Sequence, residues 1–314
     1  MKLRNLLAGA VGAAGATALA NRVLASRAGE LEPFLGGDSG TYRWRGFDVS
    51  YSEAGDPEDQ DLLLFHGINA AASSHEFYSV FDDLAEEYHV IAPDLPGFGG
   101  SDRPPLLYSA SLYETFVADA IADLADEPVV VGSSLTGSYV ATAADEAGSD
   151  VAELVLVCPT DTSMGGRRTW LRSLVRSPVL GEGVYNLIVS KPSLRHFHED
   201  HGYYDMGKLT DEVVDYEWAT GHQPGARFAP ASFISGFLDP ERALDETLAG
   251  LDVETTLVWG RDADITPLSQ GEQLAEYADA RLVVFDDALL LPHVEHPEEF
   301  VGVVRGEVKV EAEA

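Results

Sequence analysis

The sequence predicts an α/β protein built on a doubly wound, mainly parallel sheet. Three observations carry the prediction. Short continuous apolar blocks recur along the chain, as strands buried on both faces require. Helix-period segments lie between them, which is the alternation of right-handed βαβ crossovers. One of the blocks runs through a turn of small residues straight into a helix.

In chain order, residues 42–51 alternate with period two and predict an opening antiparallel hairpin. Apolar blocks follow at 62–65, 90–92, 129–131, 154–157, 257–259 and 282–285. Residues 73–87 place Phe77, Val80, Phe81 and Leu84 on one helical stripe, and 112–124 and 139–147 predict further helices. The alternation stops at Pro159 and resumes near Glu254. A stretch that long exceeds any ordinary loop, so residues 159–253 are expected to form a helical cap. The body is then 41–158 plus 254–305. Ligands of open α/β sheets bind beyond the carboxyl ends of the strands, where a cap would enclose a pocket.

Composition narrows the function. Of 314 residues, 45% are apolar and 23% charged, and 20 basic against 53 acidic side chains give a net charge of −33. Such a field repels nucleic acid, so no nucleic-acid partner is expected. Lysine occurs only at Lys2, Lys191, Lys208 and Lys309. An acidic surface so poor in lysine suits a high-salt cell, where a short Debye length mutes self-repulsion. The single Cys158 excludes an internal disulfide, and its apolar setting reads as a small buried hydrophobe.

Residues 1–30 stand apart. Lys2 and Arg4 precede an uncharged run over 5–21 that is rich in Ala and Gly, with small residues at Ala18 and Ala20. Signal peptide, weak membrane anchor and frayed helix all remain open, and with them export or membrane contact against a cytoplasmic location.

The chemistry concentrates in three segments. Gly132-Ser133-Ser134-Leu135-Thr136-Gly137 follows a buried strand and opens a helix. That geometry lifts Ser134 out at the strand end and aims the Leu135 amide at an oxyanion formed there. Thr136 occupies the second glycine of the G-x-S-x-G pattern. The block Leu63-Leu64-Phe65-His66-Gly67-Ile68 ends in a turn that would offer a second donor, the Ile68 amide. Asp94-Leu95-Pro96-Gly97-Phe98-Gly99-Gly100-Ser101-Asp102 follows another strand.

Together these segments resemble the α/β-hydrolase family, in its capped esterase, epoxide-hydrolase and haloperoxidase-like branch, over residues 41–305. The resemblance implies the α/β-hydrolase fold, an eight-stranded sheet with a helical lid after strand six, and a Ser–acid–His order. The implied acid position is Ala263, flanked by Asp262 and Asp264, of which Asp264 is the expected carboxylate; Asp161 is a further place where relatives supply it. The implied histidine position is Leu290, in Leu290-Leu291-Pro292-His293-Val294-Glu295-His296-Pro297. Leucine accepts no proton, which leaves His293 as the candidate base.

Two functions follow. One is a serine hydrolase or acyltransferase on a small apolar ester or thioester, with Ser134, Asp264 and His293 as catalytic residues and the Ile68 and Leu135 amides as oxyanion hole. The other is a non-catalytic relative that binds a small hydrophobic ligand or a partner. Epoxide hydrolysis and dehalogenation would need an aspartate at Ser134. His196-Phe197-His198-Glu199-Asp200-His201 matches the letters of a dinuclear zinc motif but lies in the cap with no strand before it, and reads as a polar segment without metal. No dinucleotide-binding turn occurs, so no cofactor is expected.

Overall fold

The computed structural model describes residues 2–146, 151–163 and 165–307. Eight strands form one sheet: β1 (Asp38–Trp44), β2 (Phe47–Ala54), β3 (Gln60–Phe65), β4 (Tyr88–Pro93), β5 (Val129–Ser133), β6 (Glu153–Val157), β7 (Glu254–Gly260) and β8 (Arg281–Phe285). Their spatial order is β1-β2-β4-β3-β5-β6-β7-β8. The first two pairings, β1 with β2 and β2 with β4, are antiparallel, and the other five are parallel. The fold is the expected mainly parallel α/β sheet.

The apolar blocks are continuous because both faces are covered. Along β3, Leu63 and Phe65 enter one buried cluster while Leu62 and Leu64 enter the other. The same alternation puts Val130, Leu156 and Leu257 on the first face and Val131, Val155, Val157 and Val258 on the second. Full burial of a side chain of this size contributes about 1.5–3 kcal/mol, so these central strands anchor the loops at their ends.

One expected element differs. Residues 73–87 do not form a single helix but a 3-10 turn, Ser74–Phe77, and a short helix, Phe81–Leu84. All four stripe residues are still buried. What breaks the helix is polar: the Ser74 amide donates to Asp94 Oδ1 at 2.7 Å, and Glu76 Oε2 accepts the Gly67 amide at 2.8 Å. Those bonds tie the first turn to the loops after β3 and β4 and leave it out of line with the second.

Between β6 and β7 the chain is helical, from Thr169–Arg176 through Leu244–Leu248. The N-terminal helix, Lys2–Ala28, lies against this insertion. There the Asn21 side chain donates to the Val179 carbonyl and accepts from Asn186, both at 3.0 Å. Among the described residues, no helix is long and apolar enough to cross a membrane.

Candidate active site

Strand β5 delivers Ser134 to the first position of helix Ser134–Glu146, at the junction itself. Its φ is +51°, the left-handed region that a non-glycine residue enters at a cost of about 1–2 kcal/mol. The strain is held by close neighbours. A Cβ on Gly132 would come within 3.0 Å of the Gly137 Cα, and one on Gly137 within 3.0 Å of the Pro159 Cβ, so a side chain at either position would push its neighbours apart. Thr160 donates its amide to the Ser134 carbonyl at 3.3 Å. Leu135 follows in the first helical turn, where backbone N–H groups lack intrahelical partners and the helix dipole favours negative charge.

Thr136, at the position where the pattern has glycine, is fully buried, and its hydroxyl donates to the His66 carbonyl at 2.8 Å. The departure therefore adds a tie between the elbow and the loop that carries Ile68. His66 completes that loop: Nδ1 donates to the Gly67 carbonyl at 2.7 Å, and Nε2 accepts the Leu95 amide at 3.0 Å. Accepting at Nε2 requires the neutral ring, and burial lowers its pKa accordingly. Asp94 closes the next loop by accepting the Ser74 and Gly100 amides.

Ser134 opens into a cavity of about 230 Å³ under the insertion. Ile68, Leu135, Ile188, Leu194, Phe197, Phe233 and Leu290 give it a mostly apolar wall. A wider groove of about 1000 Å³ runs past Asp161, Gln270 and Tyr277 at the surface, and Ser134 is not part of its lining.

The positions that the sequence matches to base and acid are both apolar and meet in space. Ala263 is buried with Cys158 and Trp259, and Leu290 packs against that cluster while facing the Ser134 cavity. His293 is fully buried elsewhere, between Phe77 and Phe300, with Nε2 3.4 Å from Glu76 Oε1. It does not line the Ser134 cavity. The reason is local: it falls in the short helix Pro292–Glu295, which packs against the turn carrying Glu76. Burial alone would raise the Glu76 pKa, but His293, Ser133 and His66 outweigh it and hold the carboxyl down to about 2. Asp264 does not line the Ser134 cavity either; it is half-exposed, with its carboxylate 2.9 Å from His201 Nδ1. Asp161 accepts the Leu244 amide at 3.0 Å, and Asp262 is exposed. Burial pushes the Cys158 thiol up to about 12, which leaves no thiolate at neutral pH.

The residues of the zinc-like motif part company. His196 is exposed beside Asp200, His201 turns to Asp264, and His198 turns inward. His198 Nε2 lies 2.9 Å from both Glu217 carboxylate oxygens, and His75 Nε2 reaches the same carboxylate at 3.5 Å. Desolvation would raise Glu217, yet the hydrogen bonds from His198 and His75 hold it down to about 2. Both His198 and Glu217 line the Ser134 cavity, and among the described residues they are its only ionisable lining groups. Sequence reasoning missed this pair. A signal existed: in helix Asp211–Gly221 the buried positions are Val213, Val214, Glu217, Thr220 and Gly221. A carboxylate on the apolar stripe of a helix demands a buried partner.

Comparison with known proteins agrees with this fold. The family described as "Alpha/beta hydrolase family" matches residues 62–303. A 2-hydroxy-6-oxo-6-phenylhexa-2,4-dienoate hydrolase of Burkholderia cepacia is 27% identical over 263 residues, covering 81% of this chain and 88% of its own. A 2-hydroxymuconate semialdehyde hydrolase of a Pseudomonas species is 26% identical over 263 residues, with the same coverage of 81% and 88%. Among solved structures, a meta-cleavage product hydrolase superposes with a TM-score of 0.66 at 25% identity, covering 86% of this chain and 97% of that one.

Proposed function

The chain belongs to the alpha/beta hydrolase family, and we propose that it acts there as a serine hydrolase or acyltransferase on a small, largely apolar carbonyl compound. Ser134 is the nucleophile, and the amides of Ile68 and Leu135 stabilise the oxyanion. The observation that carries the reading is the strained Ser134, φ +51°, set at the end of β5 and open to an apolar cavity. Strain of this kind persists only where the surrounding structure imposes it, and it clusters at sites of chemistry.

In this scheme Ser134 Oγ bonds to the carbonyl carbon while the carbonyl oxygen takes the negative charge in front of the two amides. Collapse expels the leaving group and leaves an acyl-serine, which water or another acceptor then cleaves. The similar hydrolases are named for 2-hydroxy-6-oxodienoic compounds, so activated ketones of that class join short esters and thioesters as the substrates to screen. We place His293 and Asp264 outside the reaction, because Glu76 and His201 engage them.

A fluorophosphonate probe tests the reading. Wild-type protein should acquire one adduct, located on Ser134, and Ser134→Ala should acquire none. Folded wild-type protein that stays unlabelled would refute it. The second reading, a ligand-binding protein without turnover, draws on one observation: Leu290 and Ala263, apolar side chains of one buried cluster, stand in place of a base and an acid. Tight binding of an apolar ketone without turnover, equal in wild type and Ser134→Ala, is its signature.

A further inference from the structure

A serine nucleophile needs a proton acceptor. The lining of the Ser134 cavity contains two ionisable side chains among the described residues, His198 and Glu217. Glu217 is an ionised carboxylate bound on both oxygens by the His198 ring. The remaining ring nitrogen, His198 Nδ1, is buried without any hydrogen-bond partner. His198 itself is 4% exposed. An orphaned imidazole nitrogen in so closed a place calls for a function or a ligand.

We propose that His198 is the general base for Ser134 and Glu217 the carboxylate that orients it, the pair replacing from the insertion what Leu290 and Ala263 have lost from the sheet. The inference rests on Ser134 being the nucleophile. Its logic is that of any triad: nucleophile, base, and a third group holding the base in one tautomer. Glu217 accepts Nε2–H, so the neutral ring presents Nδ1 as acceptor.

The local structure holds the ring in one position. His198 opens a π-helical turn, His198–Gly202, a rare distortion that recurs at functional sites. Gly202 packs directly against the Nδ1 edge, where a Cβ would come within 2.6 Å of the nitrogen, so only glycine leaves room for the ring in this position. Behind the carboxylate, His75 adds a second contact and is itself held by Ser73 Oγ at 2.7 Å from Nδ1. Glu217 is thus positioned from two sides and does not depend on His198 alone.

The proton balance closes. His198 Nδ1 takes the Ser134 hydroxyl proton, directly or through one water, as the Oγ–carbon bond forms. The same proton passes to the leaving oxygen as the carbon–oxygen bond of an ester breaks, which releases an alcohol. Water then attacks the acyl-serine and gives its proton to Nδ1. Cleavage of the Oγ–carbon bond returns that proton to Ser134 and releases the acid.

The test is the rate of fluorophosphonate labelling at Ser134 in the full chain, with folding checked by circular dichroism. His198→Gln should slow labelling at least about a hundredfold, the usual scale of general-base catalysis. In His198→Ala, added imidazole should restore labelling, and the rescue should be absent in Ser134→Ala. Glu217→Gln gives a second route, since it keeps the ring but loses its orientation, and should slow labelling as well. Labelling of wild type should rise with pH through one ionisation that His198→Gln removes. The groups facing His198 are Glu217 and Tyr203, and across a small cavity of about 30 Å³ also His75, Glu76 and Tyr78. Folded His198→Gln that labels at the wild-type rate with an unchanged pH profile overturns the proposal while leaving Ser134 as nucleophile. A wild type that never labels removes both.

Discussion

Restoring the family pattern at its two lost positions gives the sharpest test of how the site is built. Leu290→His together with Ala263→Asp would put an imidazole on the wall of the Ser134 cavity and a carboxylate behind it, since both residues touch the same Cys158–Trp259 cluster. The single changes are not equivalent. Ala263 is 5% exposed, so Ala263→Asp alone buries an unpaired carboxylate and should destabilise by about 3–5 kcal/mol. Leu290 is half-buried and faces the cavity, so Leu290→His alone should cost less than about 2 kcal/mol. In the double variant the two groups can pair, and part of the Ala263→Asp cost should return as a positive coupling of at least about 1 kcal/mol. Activity should move the opposite way. A base positioned at residue 290 adds general-base catalysis worth about 10²–10⁴ in rate, discounted by whatever His198 already supplies. A tenfold or larger rise in turnover of a p-nitrophenyl ester is therefore expected for the double variant, and a larger one in a His198→Gln background. Thermal denaturation gives the coupling, and steady-state kinetics give the gain. A folded double variant with no gain in either background would show that the elbow does not present its serine to the wall at Leu290, and the site geometry argued above would be wrong.

Three further outcomes follow from the same structure. Thr136→Val should lower stability by about 1–3 kcal/mol, because it strips the His66 carbonyl of its buried partner; a denaturant titration checks this, and an unchanged midpoint contradicts it. Glu76 and Glu217 each fall from an ordinary 4.5 to about 2 on folding. Their stabilisation is therefore present above pH 4.5 and is lost as pH falls toward 2, up to roughly 3 kcal/mol for each. Melting temperature against pH should drop in that window, and Glu217→Gln should flatten the drop. Finally, with a net charge of −33, self-repulsion weakens as the Debye length shrinks from about 10 Å at 0.1 M salt to about 3 Å at 1 M. Melting temperature should rise steeply with potassium chloride, and a flat response would remove the high-salt interpretation of the surface.

The sheet was legible because its strands are buried on both faces. Val129 to Val131 and Leu154 to Val157 read as unbroken apolar runs for the same reason that they pack into two clusters. The elbow was legible because it is local: strand, small turn and helix are contiguous in sequence. Local pattern failed where distant polar groups intervened. Phe77, Val80, Phe81 and Leu84 lie on one stripe, yet Asp94 and Gly67, in the loops after two different strands, draw Ser74 and Glu76 out of a common helix. The same limit hid the His198–Glu217 pair, whose members are 19 residues apart on separate helical segments. Aligning Leu290 with the family's histidine showed that a base was missing there. Only the packing of the insertion over the sheet brings another imidazole to the cavity.

The most direct measurement of the central claim is trapping of the covalent intermediate. Protein mixed with excess activated ester and quenched during the first turnover should gain the mass of one acyl group, and peptide mapping should put that group on Ser134. Turnover that proceeds with no acyl adduct, or with the adduct on another residue, would mean that the strained serine is not where the chemistry happens.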